Sequence, residues 1–184
     1  MVEKIATSWL FWLFWALAFL GFPIGGFLAN ILVGPVTTTV RAVMAGAITG
    51  AIVGLAQWFV LQSRLPLSIW WVIATSGGMA LGLGLGVALF GSEMSGNALL
   101  GRAVITGLSI GLAQWLILRP ILPQSAIWIA VIALGWVVGW FITRSAGIDL
   151  TPKWPVFGAS GALTFQFLTG LALYFLLRSS DGMK

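Results

Sequence analysis

Between its charged residues and prolines the chain falls into six long apolar runs, about 8–33, 41–62, 69–91, 98–119, 126–143 and 156–178. A helix rises about 1.5 Å per residue, so roughly 20 apolar residues cross the hydrocarbon core of a bilayer, and each run is long enough to cross once. The connections are too short to hold a domain. Ser63 to Ser68 contains Pro66, Pro120 to Ser125 contains Pro120 and Pro123, and the longest, Ser145 to Pro155, carries Asp149, Pro152, Lys153 and Pro155. The first run follows Lys4, as in a signal peptide. It nevertheless extends for about 25 residues without a small-residue cleavage site followed by a soluble segment, and so reads as a true span. The pattern predicts an all-α, polytopic membrane bundle of six transmembrane helices in a single domain, residues 1–184.

An internal repeat organises these runs. Residues 47–82 overlay 104–139 without a gap: Ile48 to Gly50 matches Ile105 to Gly107, and Gly54 to Trp58 (GLAQW) matches Gly111 to Trp115. Leu61, Leu65, Pro66, Ser68, Trp71, Gly78 and Gly82 then match Leu118, Leu122, Pro123, Ser125, Trp128, Gly135 and Gly139. The shared unit is a two-span hairpin. A degenerate copy in the last run sets Gly170 to Arg178 over Gly111 to Arg119, with Leu173 and Tyr174 in place of Gln114 and Trp115. Leu20, Gly21, Phe22 and Gly25 of the first run echo Leu134, Gly135, Trp136 and Gly139. The chain thus reads as three pseudo-repeated helical hairpins, circularly shifted. An even number of spans per repeat sends successive copies across in the same direction, so the pseudo-symmetry axis is expected along the membrane normal.

Glycines recur every four positions at Gly46, Gly50 and Gly54, at Gly78, Gly82 and Gly86, and in the pairs Gly107–Gly111, Gly135–Gly139 and Gly21–Gly25. This spacing lines one helix face with groups that admit a second backbone, either within the chain or from a homo-oligomer or membrane-protein partner. Gln114 follows Gly111 by three residues and Gly107 by seven, and Gln57 stands in the same relation to Gly54 and Gly50, so both amides are expected to face into the bundle. There they tie helices together by pairing with a neighbouring backbone or with each other, or they form a polar pocket, with the amide oxygen a potential ligand to a pigment's metal. Gln166, Thr164, Thr169 and Asn30 would complete such a pocket.

Composition narrows the chemistry. Of 184 residues 60% are hydrophobic and 7% charged, and the chain has no Cys and no His. The charge balance excludes a soluble globular domain. The missing residue types remove disulfides, thiolates, the commonest metal ligand and the usual neutral-pH proton carrier. Glu3, Glu93, Asp149 and Asp181 lie at ends or in loops, so proton coupling and paired-carboxylate catalysis find no residues, and no metal site is expected. Without His, a Ser nucleophile would need a Lys base. Lys4, Lys153 and Lys184 lie at the extremities or in a loop, so the chain is expected not to be an enzyme. The net charge of +5 is scattered and forms no nucleic-acid footprint.

Trp9, Trp12, Trp58, Trp70, Trp71, Trp115 and Trp128 fall on the membrane face that carries the termini, as an aromatic belt would. The other reading is a ring-lined cavity for a flat hydrophobic ligand such as a carotenoid, chlorophyll or quinone, with Trp58 and Trp115 beside the glutamines. Arg41 and Arg102 open the second and fourth spans and are expected to snorkel to headgroups or to bind an anion. The terminal face holds Lys4, Arg64, Arg119, Arg178 and Lys184, the opposite face Arg41, Arg102, Arg144 and Lys153, which favours cytoplasmic termini.

The repeated GLAQW-x-x-L segment, followed by a proline-containing loop and a Trp-led helix ending in G-x-x-x-G, resembles a pattern in small, uncharacterised bacterial membrane proteins of cyanobacterial type. The resemblance covers Ala47 to Gly139. It implies a multi-span bundle and a prokaryotic source, in the inner or thylakoid membrane, and carries no established activity. By size and span count the chain is also similar to the substrate-binding components of energy-coupling-factor vitamin transporters, an analogy of architecture alone. The leading expectation is an accessory or assembly subunit of a larger membrane complex, a photosynthetic one included, in contact with membrane lipids and with lipid, carotenoid or chlorophyll as candidate ligands. The alternative is a facilitator or substrate-binding membrane component for a small neutral or lipophilic compound.

Overall fold

The computed structural model describes residues 9–94, 96–122, 124–150 and 153–181. Glu3, Lys4, Ser8, Pro123, Pro152 and Lys184, used in the sequence reading, lie outside them. The described residues form helices joined by short connections: α1 (Trp9–Leu17), α2 (Gly21–Val33), α3 (Thr39–Leu61), α4 (Trp70–Phe90), α5 (Gly96–Leu118), α6 (Ile127–Ser145) and α7 (Ala159–Asp181). A 3₁₀ turn, Ala18–Leu20, joins α1 to α2 into one span, giving six membrane-crossing segments whose ends fall within a few residues of the apolar runs. Pro23 explains the turn. Its missing N–H cannot bond the Phe19 carbonyl and its ring crowds that group, so the preceding residues tighten. At the far end of the span the chain reverses at Gly34, and after α4 at Gly91, both with φ in the left-handed region that favours glycine (79° and 74°). The α3 N-terminus is capped by Thr38, whose Oγ1 accepts from the Arg41 N–H at 3.3 Å.

The spans pack in chain order as a closed ring. Each helix from α2 to α7 lies against the next, and α7 returns to α1 and the 3₁₀ turn, where the contact is sparsest. Glycine makes this close approach possible. A Cβ on Gly50 would stand 2.7 Å from the Ser76 Cα, and one on Gly107 would stand 2.6 Å from the Ala133 Cα. Gly25 meets Thr49 across the first interface as Gly82 meets Thr106 across the third. In both cases the partners recur at the spacing of the sequence repeat. Where the backbones touch, the Ser76 hydroxyl donates to the Ala47 carbonyl at 2.8 Å, adding a polar tie inside the apolar layer.

The exterior differs from that of a soluble protein in being apolar, while an apolar core also encloses several polar groups. Leu32, Leu89, Leu134, Phe141 and Phe167 are among the large apolar groups exposed on the outside, while Thr49, Gln57, Thr75, Thr106, Gln114, Gln166 and Thr169 are buried within. Lipid is the solvent for such a surface, and this is an integral membrane protein. The ring's interior is filled rather than hollow. Towards the end away from the termini, Phe22, Trp136, Phe157 and Phe165 cluster, with Phe22 and Phe157 stacked at 5.1 Å and Trp136 edge-on to Phe157 at 4.8 Å. Phe157 belongs to the connection before α7 and reaches into the bundle with Val156. That connection is tied to the α4–α5 loop by Lys153, whose Nζ lies 3.3 Å from Ser92 Oγ and 3.4 Å from Glu93 Oε1.

Candidate functional site

Four residues before the ends of α3 and α5, Gln57 and Gln114 turn inward from the faces that carry their glycines, both about 1% exposed. They meet. Gln114 Nε2 donates to Gln57 Oε1 at 3.3 Å and to Thr75 Oγ1 at 2.9 Å. Thr75 in turn donates to the Trp71 carbonyl at 2.8 Å, the usual return bond of a helical threonine. Gln166 joins from α7, its Oε1 accepting from Gln57 Nε2 at 3.4 Å. Trp128 closes the other end by donating its indole N–H to Gln114 Oε1 at 2.9 Å. Three amides from three helices thus share one hydrogen-bonded chain in the ring's centre. The indole and Thr75 contacts have ordinary lengths and the two amide–amide links are long.

Gln166 is not the residue that the repeat sets opposite Gln57 and Gln114. That residue is Leu173, about 1% exposed, and Gln166 comes from two turns earlier in the same helix. The central network is therefore asymmetric. Two buried donors in it have no partner, Trp71 Nε1 and Gln166 Nε2. Trp71 and Trp128 lie with their rings 6.4 Å apart inside the bundle. The belt reading is corrected for these two. Trp9 and Trp70 do face outward, but Trp71 and Trp128 are essentially fully buried. A signal was available in the sequence: each precedes a glycine of the packing stripe, Gly78 or Gly135, by seven residues, which returns to the same helix face.

Other expected site residues stand apart. Asn30 is in the last turn of α2, at the opposite membrane face from the ends of α3 and α5, and its Oδ1 is buried without a partner there. Trp58 donates to the Leu67 carbonyl at 3.1 Å, stapling the α3–α4 loop, and Trp115 lies under the Arg119 guanidinium at 5.6 Å. Thr164 and Thr169 bond carbonyls of their own helix. The two arginines differ. Arg41 is exposed, its Nη1 3.4 Å from the Pro35 carbonyl, whereas Arg102 is turned inward at 3% exposure rather than snorkelling. Arg102 Nη1 is held by the Glu93 carbonyl at 3.1 Å and the Met94 sulfur at 3.2 Å, in space left by Gly86.

A groove of about 650 Å³, which no sequence pattern announced, lies at the seam where α7 meets the first span. Its walls are Trp12, Trp15 and Ala16 on one side and Leu163, Phe167 and Leu171 on the other, with Thr164, Gln166, Gly170 and Tyr174 completing the lining. Gly170 lets the Trp15 ring lie directly against α7, since a Cβ there would stand 2.8 Å from that ring. Trp15 is fixed by donating its indole N–H to the Gln166 carbonyl at 3.0 Å. No lining residue is charged. Such a place can hold an uncharged, elongated apolar molecule entering sideways from the bilayer. Comparison of the chain with protein-family models, curated proteins and solved structures finds no match.

Proposed function

We propose that this membrane protein is the binding or facilitating component for a small lipophilic compound, received from the bilayer in the groove between the first and last spans. The groove itself carries the reading: it is apolar, roomy, uncharged, and backed by the central amide cluster through Gln166. We read the protein as non-enzymatic, as three pseudo-repeated hairpins, and as lying in a bacterial inner or thylakoid membrane with cytoplasmic termini. The recurrence of Gly25·Thr49 as Gly82·Thr106 supports the repeat. An assembly role in a larger membrane complex, a photosynthetic one included, draws support from lipid-facing aromatics such as Phe27, Phe141 and Phe167. The glycines that suggested a docking surface pack inside the ring.

The test is gentle extraction from native membranes, followed by mass spectrometry of bound small molecules and proteins, for the wild type and for Ala16→Phe, which fills the groove from its wall. A stoichiometric lipophile that is lost in Ala16→Phe is the expected result. Stoichiometric protein partners with no small molecule would replace this reading with the assembly role.

A further inference from the structure

We infer that the lipophile recognised in the groove carries a carbonyl-type oxygen, which accepts a hydrogen bond from Gln166 Nε2. This rests on the groove reading and adds its recognition chemistry, which follows from the direction of the central network. An indole N–H only donates. Trp128 therefore compels Gln114 to present Oε1, 2.9 Å away. Gln114 then has only N–H groups to offer Thr75 and Gln57, so Gln57 presents Oε1 to it. Gln57 in turn has only N–H groups to offer Gln166, which presents Oε1. What remains at the end of the chain is Gln166 Nε2, buried and without a partner. Reversing the amides to hide that donor would set two donors face to face at Trp128.

A buried donor without a partner costs free energy, and in hydrocarbon no water is at hand to satisfy it. An acceptor oxygen removes that cost; a hydrocarbon does not. Gln166 borders the groove yet exposes no surface of its own, so the oxygen reaches it by shifting groove-side packing. The seam is where the ring's contacts are sparsest, and the Gln57–Gln166 link, at 3.4 Å, is the longest in the network. Depth selects the source of the oxygen. Gln166 is the eighth residue of α7, roughly 10 Å along the helix from its start at 1.5 Å per residue. Its partner Gln57 stands four residues, about 6 Å, before the end of α3 at the other membrane face, so the amide lies within the membrane-crossing length of the helices, where a freely diffusing lipophile reaches it. The fitting molecule is uncharged, free to sink between the spans, and of ketone or quinone type.

The experiment uses the full chain in lipid nanodiscs and a long-chain methyl ketone with a diazirine near its tail. Photolabelling is expected on Leu163, Phe167 or Leu171. Unlabelled methyl ketone should compete about tenfold better than the alkane of equal length, the worth of one good hydrogen bond. In Gln166→Leu, and in the near-isosteric Gln166→Met should the first fold poorly, that preference should vanish while the alkane still competes. Labelling nowhere in the groove would overturn the groove reading itself. Labelling in the groove with ketone and alkane equal in the wild type would overturn the acceptor inference alone. Competition by a diacyl phospholipid as strong as by the ketone would overturn the unanchored source.

Discussion

The indole hydrogen of Trp128 orients three amides, and its removal separates direction from mere polarity. Trp128→Phe keeps an aromatic group but removes the indole N–H and frees Gln114 to turn over, so the preference for ketone over alkane should fall in the competition assay although Trp128 does not line the groove. The glutamines themselves should differ in their effect on stability. Gln114→Leu strands the Trp128 N–H and removes the donor to Thr75, whereas Gln57→Leu leaves both of those contacts in place. With unpaired buried groups costing about 1–3 kcal/mol each, Gln114→Leu is expected to lower the unfolding temperature in detergent more than Gln57→Leu. Phe157→Ala opens a void among Phe22, Trp136 and Phe165 and should cost about 3–5 kcal/mol in the same measurement.

At the level of the helices, the contacts are decided by where a methyl group fits. Gly107→Ala places a carbon 2.6 Å from the Ala133 Cα, so α5 and α6 must part. Overpacking of this kind is expected to cost about 1–3 kcal/mol. Gly77, on the same helix as Gly78 but facing out, has nothing within 4 Å of its would-be Cβ. Gly77→Ala should therefore be neutral or stabilising by up to about 1 kcal/mol, since alanine loses less backbone entropy in a helix. Thermal unfolding of the pair reads the difference between a glycine used for packing and one that is not. The first span is the irregular element. Its 3₁₀ turn directly follows the segment that supplies Trp15 and Ala16 to the groove, so the seam forms where the span departs from a regular α-helix.

The described residues form a ring whose closure brings the first and last spans together. Trp12 and Tyr174 meet edge to face with ring centroids 5.8 Å apart. The chain has no Cys, so introduced pairs report cleanly. Trp12→Cys combined with Tyr174→Cys is expected to be joined by a short bis-maleimide in membranes. Ile73→Cys with Tyr174→Cys should remain unlinked, because α4 and α7 are not neighbours in the ring. Joining the first pair should also block photolabelling of the groove, since the seam then cannot open.

The number, length and order of the spans were legible in the chain because the bilayer reads local properties: apolar length, glycine spacing and the charges at the ends of each run. The inward aim of Gln57 and Gln114 was legible for the same reason, since a three- and seven-residue relation to glycine is fixed by helical geometry. Trp71 and Trp128 obeyed that rule too, although their position near the membrane face suggested a belt. Other features depend on contacts between residues far apart in the chain. Gln166 enters the network although Leu173 occupies the repeat position, because the register of α7 against α3 is a property of the packed ring. Arg102 turns inward because the α4–α5 loop brings the Glu93 carbonyl and Met94 to it. The groove arises where the first and last spans, 151 residues apart at Trp15 and Gln166, close the circle around an indole-to-carbonyl bond. Local periodicity determines which face of a helix turns inward; only tertiary closure determines what that face meets.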